Sequence, residues 1–115
     1  MRIKNINEVS KLKDELIEQI YEVLEEVIDP ELGIDIVNLG LVYDVILDDE
    51  LNLHINMTMT SMGCPMAPQI MTDAHTKIEA AIKDLNSIKI DIVWSPAWSK
   101  ERMSRYAKIA LGIPS

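Results

Sequence analysis

From Leu51 to Thr60 the chain alternates without a break. Leu51, Leu53, Ile55, Met57 and Met59 fall on one side, and Asn52, His54, Asn56, Thr58 and Thr60 fall on the other. A period of two belongs to an extended strand with one buried and one polar face. A strand covered by helices on both faces would instead be apolar throughout. The sheet built around this strand is therefore expected to carry helices on one face only. Leu41 to Leu47 is rich in β-branched and apolar residues, and Asp48-Asp49-Glu50 supplies a turn, so the two segments read as a hairpin over residues 41–60. A third strand is expected near 88–94, with Ile88, Ile90, Ile92 and Trp94 on one side.

Three segments have helical spacing. Leu12, Leu16, Ile20, Val23 and Val27 recur every three or four residues, with Lys11, Glu15, Glu18, Glu22 and Glu25 opposite. Ser10 or Asn7 is a suitable cap, and Pro30 bounds the end. Gly63-Cys64-Pro65 opens a second helix reaching Asn86, with Ile70, Ala74, Ile78, Ala81 and Leu85 on one stripe. Ser99 is the expected N-cap of a last helix bearing Met103, Tyr106, Ala107 and Ala110, which Gly112 and Pro114 stop. The loop from Asp29 to Gly40 contains Leu32, Ile34, Ile36, Val37 and Leu39, so it is expected to pack down on the core. The order αββαβα predicts an α/β (α+β) two-layer sandwich, with a three-stranded mixed sheet and helices on one face.

At 115 residues the chain has the length of one domain, expected to span 1–115. No apolar run approaches a membrane span, and Met1–Ile6 lacks the apolar stretch of a secretory signal. The lone cysteine, Cys64, excludes an intramolecular disulfide, and the expected compartment is the cytoplasm. The net charge of −8 is uneven: residues 1–50 hold 14 acidic and 4 basic side chains, whereas 51–115 hold 5 and 7. That balance argues against non-specific nucleic-acid binding, and the acidic helix face reads as solvated.

Few residues offer chemistry. Cys64 lies between a half-polar strand and a helix, where helix N–H groups favour the thiolate that attacks electrophiles or binds metals. The alternative is a buried cysteine packing as a small hydrophobe. Asp29 and Glu31 flank Pro30, which can hold two carboxylates in a fixed relation for a metal, a proton or a partner; the alternative is a solvated turn. His54 and His75 show no metal-ligand spacing and read as surface residues. Met57, Met59, Met62, Met66 and Met71 surround Cys64, and core packing fits them better than a Cu(I) site. Phosphate loops, dinucleotide fingerprints, nucleophile elbows and HExxH motifs are absent from the sequence.

Three segments together resemble a known family: Asp29-Pro-Glu-Leu-Gly-Ile-Asp-Ile-Val-Asn-Leu-Gly-Leu-Val-Tyr43, Thr58-Met-Thr-Ser-Met-Gly-Cys-Pro-Met-Ala67 and Val93-Trp-Ser-Pro-Ala-Trp-Ser-Lys-Glu-Arg-Met-Ser104. In this order they are similar to the PaaD/SufT-like family of iron–sulfur cluster assembly factors, in its short bacterial SufT-like form. The resemblance implies an iron–sulfur assembly domain fold and an accessory or targeting role in maturing iron–sulfur proteins. It maps functional residues onto Asp29, Glu31, Thr60 and Cys64. Longer SufT-like members carry a cysteine in the Asp-Pro segment, where this chain has Glu31-Leu32, and phenylacetate-pathway members carry a cysteine-rich extension, where this chain ends at Ser115. Common clusters take four cysteine thiolates, so one thiol per chain argues against stable cluster storage. The expectation is thus no stably bound cofactor, with iron or a cluster handled transiently through Cys64. The partners implied are SUF-type scaffold or carrier proteins, apo-clients and a second copy of the chain, without nucleic acid or membrane. A metal-free adaptor and, more remotely, a thiol-dependent enzyme are the alternatives to this non-enzymatic reading.

Overall fold

The computed structural model describes residues 6–60 and 66–113. Helix α1 spans Ile6–Leu24, strand β1 Val42–Leu47, strand β2 Asn52–Met57, helix α2 Ala67–Ala81, strand β3 Ser87–Ile92 and helix α3 Arg105–Ala110, with a 3₁₀ turn at Lys100–Arg102 before α3. The sheet is mixed: β1 pairs antiparallel with β2, which pairs parallel with β3. The expected α+β order and sheet are therefore present.

The alternation of β2 translates directly into burial. Leu53, Ile55 and Met57 are buried, whereas Asn52, His54 and Asn56 are half-buried on the other face. The buried face meets Leu16, Ile20 and Leu24 of α1 and Ile70, Ala74 and Ile78 of α2 in one core. The exposed face of α1 carries Glu15, Glu18 and Glu22, as its spacing predicts, and Glu25 is exposed just beyond its end. The hairpin turn is organised by Asp48, whose Oδ1 accepts from the N–H groups of Glu50 and Asn52 at 2.9 Å each. Leu51 closes it at φ 64°.

Several expectations fail where the chain leaves its element early. Thr58 and Thr60 do not join the polar face; with Met59 they are all buried. β2 ends at Met57, and the Thr58 N–H turns to the Leu41 carbonyl at 2.8 Å, beneath the preceding loop. Trp94 likewise lies beyond β3 and is 60% exposed rather than aligned with the three isoleucines. Helix α1 begins at Ile6, ahead of Asn7 and Ser10, and stops at Leu24, well before Pro30. Its end unwinds through turn hydrogen bonds, Glu26 N–H to Val23 O at 2.9 Å and Val27 N–H to Leu24 O at 3.1 Å, before the isolated antiparallel bridge of Ile28 with Asp35. Helix α2 starts at Ala67 with Pro68 in its first turn, and it ends at Ala81 rather than Asn86. Ser99 precedes only the 3₁₀ turn, whereas Ser104 caps α3 by accepting from the Ala107 N–H at 3.1 Å.

Candidate functional site

Local hydrogen bonding shapes the segment after α1. The Ile36 N–H donates to the Val27 carbonyl at 2.9 Å, and inside that bridge residues 29–34 form a closed loop. The Asp29 N–H donates to Ile34 O at 2.9 Å, and the Gly33 N–H donates to Asp29 O at 2.7 Å. Gly33 adopts φ 71°, a conformation that glycine takes without a Cβ penalty. Ile34, Ile36 and Leu39 are buried, so the loop does pack on the core.

Asp29 is fully buried. Its Oδ1 accepts from the N–H groups of Glu31 at 2.8 Å and Leu32 at 3.2 Å, which fixes the carboxylate against its own loop. Its Oδ2 is buried and has no hydrogen-bond partner among the described residues. Buried polar atoms are almost always satisfied, so an orphaned carboxylate oxygen marks a place for an incoming donor or cation. Glu31 is exposed, so the two carboxylates around Pro30 occupy different environments.

Beside Asp29, Ile28 is 47% exposed. It lines a cavity of about 620 Å³ whose other wall is Pro68, Gln69, Ile70, Thr72 and Asp73 of α2. The start of α2 thus faces the flank of the Asp29 loop. Met66, at its boundary, makes no side-chain cap hydrogen bond. Thr60 is buried at the end of the segment leaving β2. Cys64 lies outside the described residues, together with the rest of 61–65. Among the described residues no three of His, Cys, Asp and Glu form a metal-binding group. His54 Nε2 lies 2.8 Å from Asp91 Oδ2 on the open sheet face, and His75 Nδ1 lies 4.0 Å from Glu79 on α2. Met57 and Met59 are core residues.

A second set of polar residues escaped the sequence reading. Asp35 accepts from the Asn38 N–H at 3.0 Å and from Asn38 Nδ2 at 2.7 Å. Asn38 Oδ1 in turn accepts from Ser104 Oγ at 2.6 Å, and Trp98 Nε1 donates to Leu39 O at 2.8 Å. These bonds fasten the C-terminal segment to the loop that begins at Asp29. The Asp-x-x-Asn spacing of a side-chain-capped turn was the available signal for the first of them.

This architecture has known counterparts. The profile of the family described as "Iron-sulfur cluster assembly protein" matches residues 17–92, well over half of the chain. The chain belongs to that family. The matched span of this iron–sulfur cluster assembly family contains Asp29, Glu31, Thr60 and Cys64. The chain is 54% identical over 102 residues to the "Fe-S protein maturation auxiliary factor YitW" of Bacillus subtilis, covering 89% of this chain and 99% of that one. It is 61% identical over 87 residues to the "Fe-S protein maturation auxiliary factor SufT" of Staphylococcus aureus, covering 76% and 98%. The fold matches the crystal structure of a DUF59 domain from Bacillus anthracis with a TM-score of 0.82 at 56% identity, covering 88% of this chain and 95% of that one.

Proposed function

We propose that this chain is an accessory factor in iron–sulfur protein maturation, acting in the cytoplasm without catalysing a reaction of its own. Its similarity to maturation auxiliary factors over nearly their whole length carries that reading. Iron or a cluster is its cargo, not its resident cofactor. One thiol per chain is too few for a common cluster, so Cys64 shares the cargo with ligands from a SUF-type carrier or an apo-client. The orphaned Oδ2 of Asp29 supports this reading, because a carboxylate oxygen is a suitable hard ligand or acceptor for such a transfer. Glu31, exposed beside it, is suited to meeting the partner, and Thr60 to leading the chain into the Cys64 segment. A homodimer would bring a second thiol by symmetry.

The test combines a binding assay with a rescue assay. Anaerobic titration of the purified chain with Fe(II) and sulfide should give thiolate charge-transfer absorbance that Cys64→Ser loses. In cells lacking the protein, Cys64→Ser should fail to restore aconitase activity while melting near the wild-type temperature. Full rescue by a stable Cys64→Ser protein would remove the thiol from the mechanism and leave the metal-free adaptor. Lost rescue with a large drop in melting temperature would make Cys64 a packing residue.

A further inference from the structure

A second cleft lies at the end of the sheet where β1 starts and β2 and β3 finish. Its volume is about 730 Å³, and Tyr43, Asp44, Asn56, Val93, Ser95 and Arg102 contribute to its walls. Two structural devices build it. The β1–β2 register steps from Val42↔Met57 to Asp44↔Asn56, so Tyr43 is an extra residue in a bulge. Bulges re-aim side chains, and this one sends the Tyr43 ring into the cleft. The second device is Gly40, at φ 76°, whose absent side chain lets the backbone of Arg102 approach; a Cβ there would lie 2.2 Å from Arg102 O. The Ser104 N–H also donates to Asn38 O at 2.8 Å, which anchors the residues around Arg102.

The guanidinium of Arg102 lies 4.5 Å from the centre of the Tyr43 ring. The Tyr43 hydroxyl donates to Pro96 O at 2.8 Å, so the ring is a fixed platform. Stacking occupies the face of a guanidinium and leaves its edge N–H groups free for a planar anion. The ion pairs among the described residues join Lys13 to Asp49, His54 to Asp91, His75 to Glu79 and Lys89 to Asp91, and none takes in Arg102. Lys100, Arg105 and Lys108 lie nearby in sequence, with Glu101 as the one acid after Asp91. In a chain of net charge −8, this end presents cations. Val37, Val42 and Val93 add an apolar lining. Asp44 lines the same cleft and accepts from Asn56 Nδ2 at 3.2 Å, so a ligand with two negative charges meets repulsion there.

We propose that this cleft binds a single aliphatic carboxylate, with Arg102 as the anion-binding group, Tyr43 as its platform and the valines around the alkyl part. The site is separate from the cargo reading of Asp29 and Cys64 and stands whether or not that reading does. The carboxylate belongs either to a small free acid or to the side chain of a partner peptide.

Titration of the ¹⁵N-labelled full chain tests the site, read at the Arg102 side-chain Nε–H and the backbone amides of Tyr43 and Val93. The probes are 3-methylbutanoate and an N-acetylated, C-terminally amidated Ala-Glu-Val peptide, with 3-methylbutanamide and the Ala-Gln-Val peptide as neutral controls. Saturable shifts with a carboxylate and none with its neutral control are expected. Arg102→Gln should weaken binding at least about tenfold, and Arg102→Lys should weaken it less, because charge remains without the fork. Asp44→Asn should narrow the gap between 3-methylbutanoate and succinate. The free acid or the peptide binding more tightly assigns the source, and either result supports the site. Equal shifts from the neutral controls, undiminished binding in a folded Arg102→Gln chain, or no saturable shift from either carboxylate would overturn it.

Discussion

Asp29 has two oxygens in two different situations. Oδ1 holds the loop by accepting from Glu31 and Leu32, and Oδ2 is buried without a partner among the described residues. The two substitutions that separate these roles should behave differently. Asp29→Ala strips the acceptor from two backbone N–H groups and should lower stability by about 1–3 kcal/mol, measured by urea denaturation. Asp29→Asn keeps an Oδ1 acceptor and removes the buried charge, so its melting temperature should stay within about 4 °C of wild type. If Oδ2 serves transfer, the Asn variant still fails to restore client activity; full rescue would confine Asp29 to shaping the loop. Two glycines give a second contrast. Gly40→Ala would drive a methyl group into the Arg102 backbone at positive φ and should cost more than about 2 kcal/mol. Gly33→Ala has the same backbone penalty but open space, so it should cost only about 1 kcal/mol. Equal losses at the two positions would show that the Gly40–Arg102 approach is not tight.

At the scale of elements, helix α3 depends on Ser104 rather than Ser99. Ser104 Oγ accepts from the Ala107 N–H and donates to Asn38 Oδ1, so Ser104→Ala should lose about 1–2 kcal/mol. Ser99→Ala should change stability by less than about 0.5 kcal/mol, and comparable losses for the two would reassign the cap. The open sheet face makes a prediction in pH. A hydrogen bond from His54, and secondarily the charge of Lys89, hold Asp91 below its ordinary value of 3.8. A carboxylate with a depressed native pKa contributes stability that is present above its unfolded value and lost as pH falls through the native one. The stability that the Asp91 carboxylate contributes should therefore be lost as pH falls below about 4. Carboxyl NMR should show Asp91 titrating below 3.8, and His54→Ala should return it toward that value. An unchanged Asp91 titration in His54→Ala would assign the shift to other groups.

For the whole molecule, the acidic outer face of α1 and the cationic C-terminal segment form two separate charge regions. Long-range fields of this kind steer encounters and are screened within about 8–10 Å at physiological salt. Binding to an apo-client or carrier should thus be faster at low ionic strength, which stopped-flow measurements at two salt concentrations would detect. Sedimentation should show a species of twice 13.0 kDa if the proposed homodimer forms, and a lone 13.0 kDa species at working concentration would count against it.

Element order, the hairpin and the identity of the core were legible because periodicity and a turn signal carry them, and burial enforces periodicity one residue at a time; that β3 pairs with β2 came only from the structure. Leu53, Ile55 and Met57 are buried for the reason their spacing gives. The three motif segments likewise led to the family, and they placed Asp29 in a loop that does pack on the core. Element ends were not legible. Thr58 and Thr60 continue the alternation in sequence, yet both are buried, and the Thr58 N–H is taken up by the Leu41 carbonyl from earlier in the chain. Pro30 is a local stop signal, but the helix ends at Leu24 and the chain has already turned into an Ile28–Asp35 bridge before it reaches the proline. Nothing local distinguishes Ser99 from Ser104 as a cap; Asn38, 66 positions away, engages the second. The Tyr43–Arg102 stack joins residues far apart along the chain through a one-residue bulge and a missing Cβ. The sequence by itself determined which faces are apolar, because that is a property of neighbours along the chain. The tertiary structure alone decided where elements stop, which buried carboxylate oxygen has no partner among the described residues and which arginine stacks on a tyrosine ring, because each depends on groups brought together only by folding.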